Sequence, residues 1–384
     1  MSELVIYTMN HCPYCERAKA LLRQRGITYR EIHVSEDDDA QWEMLHQRSG
    51  MRTMPQIFLG EKLLGGYTDL AALDSQDQLT SLRAPESVFV IGAGSIGAYF
   101  AARLSKVAAV TLICSEGRTD LWKNGITLGG TEKGHYPIQA LSWSQVLTFP
   151  SNAYILITTK VFHFPQVLSQ VGEHLGSRNH LVLFQNGLRI REEAEKFLSG
   201  QTWARAVCWL GARLENPGLV QVAGSSSIDL AGGDAGAQTR LAEIFTQAGL
   251  STAWSADVSL AEWRKALWNV SLNGLCALAG VPNRMALEDP LLKPIFDLLL
   301  DEAMTVAQAD GVNLTAMDRE RVYEATRAMG ANLNSTLQDL RAGRMTEMPW
   351  LNGSLICLAE KYGVSVPAHR VIHPLVRFRE QNSV

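Results

Sequence analysis

A glycine-rich segment, GAGSIG at residues 92–97, constrains the fold of this chain more than any other stretch. It follows the apolar run VFVI and opens the apolar run IGAYFAARL, which predicts a strand, a tight turn and a helix. Gly92 would allow the turn, Gly94 would let a pyrophosphate approach the backbone, and Gly97 would let helix and strand pack closely. A helix start that is merely rich in small residues is the alternative. The residues expected to hold a dinucleotide here are Gly92, Ala93, Gly94, Ser95, Ile96 and Gly97.

The chain contains two α/β patterns followed by a helical region. Residues 1–82 alternate short apolar strands with helices, and the pattern restarts near Ser87. Short apolar strands that alternate with helices indicate a parallel sheet covered on both faces. After about residue 255 only long amphipathic segments follow. The sequence therefore predicts an α/β protein with a small domain over 1–82, a Rossmann-type parallel-sheet domain over 86–255 and an all-α domain over 256–384.

Composition and the first residues limit the partners and the cellular location that are expected for this chain. The 384 residues are 19% charged with a formal net charge of -4, so the chain offers no basic field for nucleic acid. No apolar run approaches the length of a membrane span, and no membrane partner is expected. The first residues, MSELVIYTMNHC, lack the basic and long apolar regions of a secretory leader, which favours the cytoplasm. Four cysteines in apolar surroundings are expected to be reduced core residues: Cys114, Cys208, Cys276 and Cys357.

Two further cysteines, Cys12 and Cys15, lie one helical turn apart in NHCPYCERAK. Pro13 favours a helix that begins just after Cys12. A helix N-terminus stabilises the thiolate that attacks disulfides, and Cys15 would then resolve the mixed disulfide. A zinc site needs two more ligands at suitable spacing, for which this region offers only scattered histidines. A redox couple is therefore favoured over zinc or an inert pair, and no metal is expected.

The N-terminal region resembles a bacterial dithiol glutaredoxin from residue 1 to about 80. The motifs that carry the resemblance are CPYC at 12–15, RTMPQIF at 52–58 and GGYTDL at 65–70. It implies a thioredoxin-like fold, a catalytic pair of cysteines and a cis peptide at Met54–Pro55 that faces them. It also implies glutathione, or glutathionylated thiols, as partners. The implied glutathione contacts are Tyr14, Met54, Pro55, Thr68 and Asp69.

Polar residues after three of the later strands bear on the cofactor. VTLIC would end near the adenine ribose, where an acidic residue favours NAD and an arginine favours NADP. Ser115 and Arg118 point to NADP, whereas Glu116 opposes it. Lys160 and Asn186 follow two further strands, and ligands bind outside the carboxyl ends of strands in such sheets. Lys160 could instead be a solvated strand-end lysine.

A polar stripe marks the helix predicted over 261–279. Lys265, Asn269 and Asn273 recur every four residues in an otherwise apolar helix, so they share one face. Buried lysine and asparagine side chains are costly without partners, so the stripe should line a polar cleft. A solvent-facing stripe is the alternative.

From about Ser87 to its end the chain resembles the ketopantoate reductase family. The motifs that carry the resemblance are GAGSIG, TTK at 158–160, QNG at 185–187, EWRKALWNVSLNGLCAL at 262–278, NSTLQD at 334–339 and TEMPWLNG at 346–353. It implies Lys265 as the catalytic lysine and Glu347, by itself a surface carboxylate, as the group that organises the substrate. It implies cofactor or substrate contacts at Lys160, Asn186, Asn269, Asn273 and Ser335. An arginine common in the family is replaced here by Ser115.

The resemblance implies reduction of 2-dehydropantoate (ketopantoate) to pantoate by NADPH in pantothenate biosynthesis, beside a glutaredoxin-type thiol–disulfide activity. Lys265 would protonate the forming alkoxide, because an ammonium both stabilises negative charge and supplies a proton. Asn269, Asn273 and Ser335 would hold the substrate, and Glu347 would position Lys265 or the substrate. One alternative is a reductase of a different 2-keto acid. The other is a glutathione-linked redox enzyme whose reductase-like part only docks or senses.

The sequence does not explain why the two regions are joined. One hypothesis is that the glutaredoxin region keeps Cys276, one turn beyond Asn273, free of glutathione adducts. A plain tether without coupling is the other hypothesis. The sequence also leaves the oligomeric state open.

Overall fold

The computed structural model describes residues 3–76, 78–79, 86–176, 178–198, 201–255 and 257–382, leaving aside the side chains of residues 224 and 225. The chain divides into two compact units, Met1–Pro85 and Glu86–Val384. Within the described ranges no helix is both long enough and apolar enough to cross a bilayer. The limits of the three predicted domains stay a prediction.

The first unit is a small sheet with helices. Its elements are β1 (Leu4–Thr8), α1 (Pro13–Gln24), β2 (Arg30–His33), α2 (Asp39–Ser49), β3 (Gln56–Leu59), β4 (Lys62–Gly65) and α3 (Tyr67–Ser75). The strand order is β2-β1-β3-β4, with β1 parallel to β2 and antiparallel to β3. Alternate residues of β1 enter two buried clusters, Leu4 and Ile6 on one face and Val5 and Tyr7 on the other. This is the thioredoxin-like arrangement expected from the sequence.

The second unit begins with a ten-stranded sheet. Its elements are β5 (Ser87–Ile91), α4 (Ser95–Leu104), β6 (Ala109–Cys114), β7 (Ile126–Gly130), β8 (Gly134–Tyr136), β9 (Gln139–Ser142), β10 (Tyr154–Ile157), α5 (Phe164–His174), β11 (His180–Leu183), α6 (Ile190–Glu195), β12 (Trp203–Asn216), β13 (Leu219–Gly232), α7 (Ala235–Gln247) and β14 (Ser251–Ser255). The order is β8-β7-β13-β12-β11-β10-β5-β6-β9, with β14 on β13. Strands β11, β10, β5, β6 and β9 are parallel, as the Rossmann-type prediction requires.

The long hairpin of β12 and β13 is not indicated by the sequence. Each strand has 14 residues, and the pair is antiparallel. Its register shifts near Leu210 and again near Glu215, and the outer part of β12 is only half-buried or exposed. Such irregularities break the alternation of polar and apolar residues by which a strand is recognised.

The glycine turn has the predicted strand–turn–helix context. Gly92 follows β5 with a φ of +110°, which is strained for any residue with a Cβ. A Cβ at Gly97 would lie 1.8 Å from the carbonyl oxygen of Gly92. Helix α4 therefore packs as closely on the turn as a backbone allows, and only glycine fits at its third position.

The rest of the second unit is helical, as predicted. Its helices are α8 (Val258–Ala279), α9 (Met285–Glu288), α10 (Leu292–Ala309), α11 (Ala316–Ala328), α12 (Ser335–Arg341), α13 (Asn352–Tyr362) and α14 (Pro367–Gln381). Helix α8 is buried around most of its circumference, because it packs against α9 to α12 and α14 and also against β12 and β13. Its contact with the sheet brings the side chain of Lys265 towards the strand ends.

Replacing Gly97 by alanine should lower the free energy of unfolding by about 3 kcal/mol, because the added methyl group overpacks the turn. Gly94→Ala is the matched control. No heavy atom lies within 4 Å of a Cβ at Gly94, so its stability should change by less than about 0.5 kcal/mol. Urea unfolding of the three proteins measures both effects, and equal stability of the two variants would contradict the packing argument.

Candidate active site

Two polar turns follow neighbouring strands at one edge of the sheet. Lys160 lies just beyond β10 and Asn186 just beyond β11. Gln185 joins these turns, because its side-chain amide donates to the carbonyl oxygens of Ile157 at 2.9 Å and Thr159 at 3.1 Å. Both candidate residues are therefore held at the carboxyl edge, where ligands bind in sheets of this kind.

Two buried carboxylates from the helical part reach this edge. Nζ of Lys160 lies 2.9 Å from Oδ2 of Asp339 and 3.5 Å from Oε2 of Glu347. Asn186 donates to the same Glu347 oxygen at 3.3 Å, and the Val161 N–H donates to Oε1 at 3.4 Å. Burial favours neutral Lys160, but the charges of Glu347 and Asp339 outweigh it and raise its pKa. Lys160 is therefore an ion-paired anchor, which counts against the solvated-lysine alternative, although 38% of its side chain is exposed.

The turn after Asn186 packs closely on the segment that follows Glu347. Gly187 has a φ of +129°, and a Cβ there would lie 2.8 Å from the carbonyl oxygen of Trp350. The Leu188 N–H donates to that same oxygen at 2.9 Å. Glycine in the QNG motif thus permits the contact that brings Asn186 and Glu347 together.

Lys265 lines a small, partly open cavity together with Asn186 and Cys208. Its Nζ lies 4.4 Å from the centre of the Trp209 ring and 4.7 Å from that of Trp268. Burial lowers the pKa of Lys265 to about 8, although Cys208 and then Asp229 act in the opposite direction. An amine with such a pKa exchanges protons readily near neutral pH.

The rest of the polar stripe is buried. Asn269 is 4% exposed and Asn273 is 2% exposed, so the solvent-facing alternative is wrong. Oδ1 of Asn273 is buried without a hydrogen-bond partner among the residues that the structure describes. An orphaned acceptor of this kind fits a donor on a polar ligand.

Ser335 and Glu347 differ in exposure, and Glu347 is not the surface carboxylate that its sequence position alone suggests. Ser335 is exposed as the first residue of α12. Glu347 is 5% exposed and contacts Lys160 and Asn186. The contacts of Glu347 therefore support a role in holding Lys160 and Asn186 at the strand ends. The family resemblance instead implies that Glu347 positions Lys265 or the substrate.

The glycine turn leaves room for a phosphate. Gly94 is exposed, while Ala93, Ser95 and Ile96 beside it are half-buried. Helix α4 has Gly94 as its N-cap and receives no side-chain cap. Its first N–H groups and the open space over Gly94 fit a pyrophosphate.

The acidic residue near the expected ribose site is engaged elsewhere. Glu116 accepts hydrogen bonds from the N–H and the Oγ of Ser144, both at 2.9 Å, and these bonds lower its pKa. Ser115 and Arg118 are exposed. Both oxygens of the carboxylate that opposes NADP therefore have protein partners, and the arginine side chain extends into solvent.

In the first unit Cys12 and Cys15 form a disulfide. Cys12 is the N-cap of α1, and its Sγ lies 3.1 Å from the Cys15 N–H. That sulfur is also 3.8 Å from the carbonyl oxygen of Met54, and the Met54–Pro55 peptide is cis, as expected. The pair is therefore poised at a helix N-terminus, as a redox couple requires.

The residues expected to contact glutathione differ in exposure. Tyr14 is 52% exposed, whereas Met54 and Pro55 are buried. Thr68 and Asp69 are exposed, and Asp69 accepts a hydrogen bond from the Gly66 N–H at 2.8 Å.

The other cysteines are not all core residues. Cys114 and Cys276 are buried and Cys208 is half-buried, but Cys357 is exposed, so the prediction for Cys357 is wrong. It lies on the solvent side of α13, whose buried face is formed by other residues. Burial raises the pKa of Cys276 to about 12. A fully buried thiol of this kind is a poor target for glutathione, which disfavours the hypothesis that Cys276 needs protection.

Several residues of the site escape sequence reasoning. Asp339 is the acidic residue of the NSTLQD motif, and its place in that motif was the only sequence signal that could have marked it as a site residue. Trp268 lies inside the predicted helix and looks like an ordinary core residue there. Cys208, Trp209 and Asp229 lie on the unpredicted hairpin, so only tertiary structure brings them to Lys265.

Comparisons with known families find matches in three ranges of the chain. Residues 88–234 match the family described as ketopantoate reductase PanE/ApbA, and residues 257–380 match ketopantoate reductase PanE/ApbA C terminal. Residues 4–64 match glutaredoxin.

Individual relatives cover the second unit. A 2-dehydropantoate 2-reductase of Halobacterium salinarum is 27% identical, over 77% of this chain and 99% of the relative. One from Lactococcus lactis is 26% identical, over 77% and 98%. The crystal structure of a PanE/ApbA family ketopantoate reductase from Ralstonia eutropha JMP134 is 25% identical, with a TM-score of 0.70 over 78% of this chain and 99% of that one. A D-mandelate dehydrogenase with NADH and anilino(oxo)acetate shares the fold, at 23% identity and a TM-score of 0.70, over 77% and 98%.

After reduction of the folded protein, iodoacetamide should modify Cys357 and leave Cys114 and Cys276 unmodified, because alkylation needs an accessible thiolate. Mass spectrometry of the tryptic peptides measures the labelling. The same reaction in urea should label all three cysteines and serves as the control. Equal labelling of Cys276 and Cys357 in the folded protein would contradict the burial.

Proposed function

Because this chain belongs to the ketopantoate reductase family and carries a glutaredoxin domain ahead of it, we propose that it reduces 2-dehydropantoate (ketopantoate) to pantoate with NADPH. The proposal rests above all on the cavity in which Lys265 from α8 meets Asn186 from the carboxyl edge of the sheet. This cavity joins a proton donor to the edge at which a dinucleotide would lie. The step belongs to pantothenate biosynthesis.

The proton chemistry falls to Lys265. When bound, NADPH supplies the hydride that reduces the C2 carbonyl. Lys265 stabilises the negative charge on the carbonyl oxygen and gives it a proton. Its pKa of about 8 suits this role, because the ammonium is the main form at neutral pH and releases its proton without a large penalty.

The asparagines of the α8 stripe and Ser335 would bind and orient the substrate. Asn269, Asn273 and Ser335 would hold its carboxylate and hydroxyl groups. The unpartnered Oδ1 of Asn273 supports this assignment, because it needs a donor such as a hydroxyl. Glu347 fixes Lys160 and Asn186, which in turn contact the cofactor or the substrate.

The contacts of Glu116 support NADPH over NADH. A carboxylate that favours NAD accepts a hydrogen bond from the ribose 2′-hydroxyl, but both oxygens of Glu116 already accept bonds from Ser144. Arg118 and Ser115 would bind the 2′-phosphate. The glycine turn over Gly92, Gly94 and Gly97 would receive the pyrophosphate.

The glutaredoxin domain exchanges thiols and disulfides with glutathione or glutathionylated thiols. Cys12 is the attacking thiolate because it is half-buried at a helix N-terminus, and Cys15, 1% exposed, resolves the mixed disulfide. Tyr14, Met54, Pro55, Thr68 and Asp69 would hold glutathione. A cytoplasmic location stays a prediction and agrees with such a thiol-dependent domain.

A different 2-keto acid is the second candidate. A fold like this one also occurs in a D-mandelate dehydrogenase, so the fold alone does not select the substrate side chain. Oxidation of NADPH and of NADH by the purified chain, measured over a panel of 2-keto acids that includes ketopantoate, decides between the substrates. Glutathione-dependent disulfide reduction without turnover of any keto acid would instead favour the glutathione-linked redox enzyme.

Replacing Lys265 by alanine should lower kcat by about 10² to 10⁴, the usual contribution of a general acid. Since the group must be protonated and its pKa is about 8, kcat/KM of the wild type should be constant at lower pH and fall at higher pH. Lys196→Ala, at an exposed surface lysine, is the matched control. Near wild-type turnover of Lys265→Ala would remove the proposed role.

Replacing Arg118 by alanine should raise KM for NADPH about tenfold and leave KM for NADH unchanged, because a charge-assisted bond to the 2′-phosphate is lost. Ser144→Ala removes the bond to Oε2 of Glu116 and should lower KM for NADH, since that oxygen can then accept a hydrogen bond from the ribose 2′-hydroxyl. Initial rates with each cofactor measure both effects, with Arg191→Ala on α6 as the control. Equal changes for the two cofactors would contradict a contact with the 2′-phosphate.

A further inference from the structure

A buried ion pair joins the sheet to helix α8. Arg205 on β12 is 2% exposed and Glu262 on α8 is 9% exposed. Nε of Arg205 lies 2.5 Å from Oε1 of Glu262. Removing two charges from water is costly, so a buried pair is weak evidence for stability and calls for another explanation.

The other hydrogen bonds of Arg205 go to the carboxyl edge of the sheet, where the cofactor is proposed to bind. Its Nη1 donates to the carbonyl oxygen of Leu183 at 2.7 Å, and its Nη2 donates to that of Gln185 at 2.5 Å. These carbonyl groups end β11 and precede Asn186. The Gln185 side chain continues to Thr159, the residue before Lys160. One planar guanidinium group therefore fixes the strand ends from which both residues project.

The position of Glu262 on α8 relates the ion pair to the proton donor. Glu262 lies three residues before Lys265, so the two side chains share one side of α8. Asn186, Arg205, Glu262 and Lys265 all line the same cavity. The ion pair thus belongs to the wall of the cavity in which the proton transfer would occur.

We propose that Arg205 and Glu262 are positioning residues for the reduction: together they fix the first turns of α8 on the end of β11 and keep the charge beside Lys265 balanced. This inference rests on the proposed function, because it concerns the same cavity. Neither residue needs to touch the substrate. The guanidinium acts through the strand ends and the carboxylate acts through the helix that carries Lys265.

The charge balance follows from the groups around Lys265. Cys208 on β12 is neutral, because burial raises the pKa of its thiol to about 12. Asp229 on β13 contributes a negative charge. Arg205 and Glu262 line the same cavity as Lys265, and their opposite charges offset each other while they are paired. Loss of the arginine should therefore raise the pKa of Lys265, and loss of the carboxylate should lower it.

The decisive measurement is the pH dependence of Lys265 labelling in the full-length protein. An amine-reactive anhydride modifies only the neutral amine, and peptide mass spectrometry measures the labelled fraction. Arg205→Met should shift the midpoint upward and Glu262→Gln downward, each by about one pH unit. Arg205→Lys keeps the charge and should leave the midpoint near that of the wild type.

Kinetics separates the geometric part of the proposal from the electrostatic part. All three variants should lower kcat by about 10-fold to 100-fold, because the catalytic groups are displaced, with a smaller change in KM for NADPH. The double variant Arg205→Met, Glu262→Met should fold even if a single variant does not, since it buries no unpaired charge. The pH midpoint of Lys265 labelling in the double variant should match that of the wild type, and its kcat should still be low.

Arg240→Met, which breaks a half-buried ion pair with Glu86, is the control and should change neither the midpoint nor kcat. Shifts of Arg205→Met and Glu262→Gln in the same direction, or no shift, would overturn the electrostatic role. A double variant with wild-type kcat would overturn the positioning role. If the wild type reduces no keto acid, the proposed function fails, and the labelling result still tests the charge balance.

Discussion

The ion-paired Lys160 is the contact on which the proposed reductase site depends. Its ammonium bridges Asp339 and Glu347, two carboxylates that are almost completely buried. Buried charges need partners at close range, so the turn after β10 and the segments around α12 must meet. Asn186 donates to the same Glu347 and is fixed by the same contact. The carboxyl edge of the sheet and the helical part therefore form one wall.

The pKa values of two lysines at this site are shifted in opposite directions because their surroundings differ. Lys160 faces carboxylates, and its pKa is raised. Lys265 lies against the rings of Trp209 and Trp268, and burial lowers its pKa to about 8. The first is suited to anchor other groups, and the second is suited to transfer a proton. The division of roles follows from environment, since the two side chains are chemically identical.

The thiols of the chain divide in a similar way. Cys12 lies at a helix N-terminus, where a thiolate is stabilised, and its partner Cys15 lies one turn later. Cys114 and Cys276 are enclosed by apolar side chains that disfavour their charged forms. Of these four cysteines, the two placed for thiol–disulfide exchange therefore lie in the first unit, whereas the exposed Cys357 of the second unit is a free thiol.

The sequence by itself determined the elements whose signals are local. Strand–turn–helix patterning at GAGSIG, the polar stripe from Lys265 to Asn273 and the CPYC motif each depend on residues a few positions apart. For the same reason the thioredoxin-like fold, the parallel sheet and the helical region could be predicted. The exposure of Cys357 was predicted wrongly, because an apolar stretch does not reveal which face of its helix is buried.

Only the tertiary structure decided which distant residues share the cavity. Arg205, Cys208 and Trp209 belong to an irregular hairpin without a clear sequence pattern, and Glu262 looks like an ordinary charge at the start of a helix. The bonds of Arg205 join it to Leu183, 22 residues away, and to Glu262, 57 residues away. Side-chain chemistry can be inferred from a sequence, but the partners that tune it are set by packing across the fold.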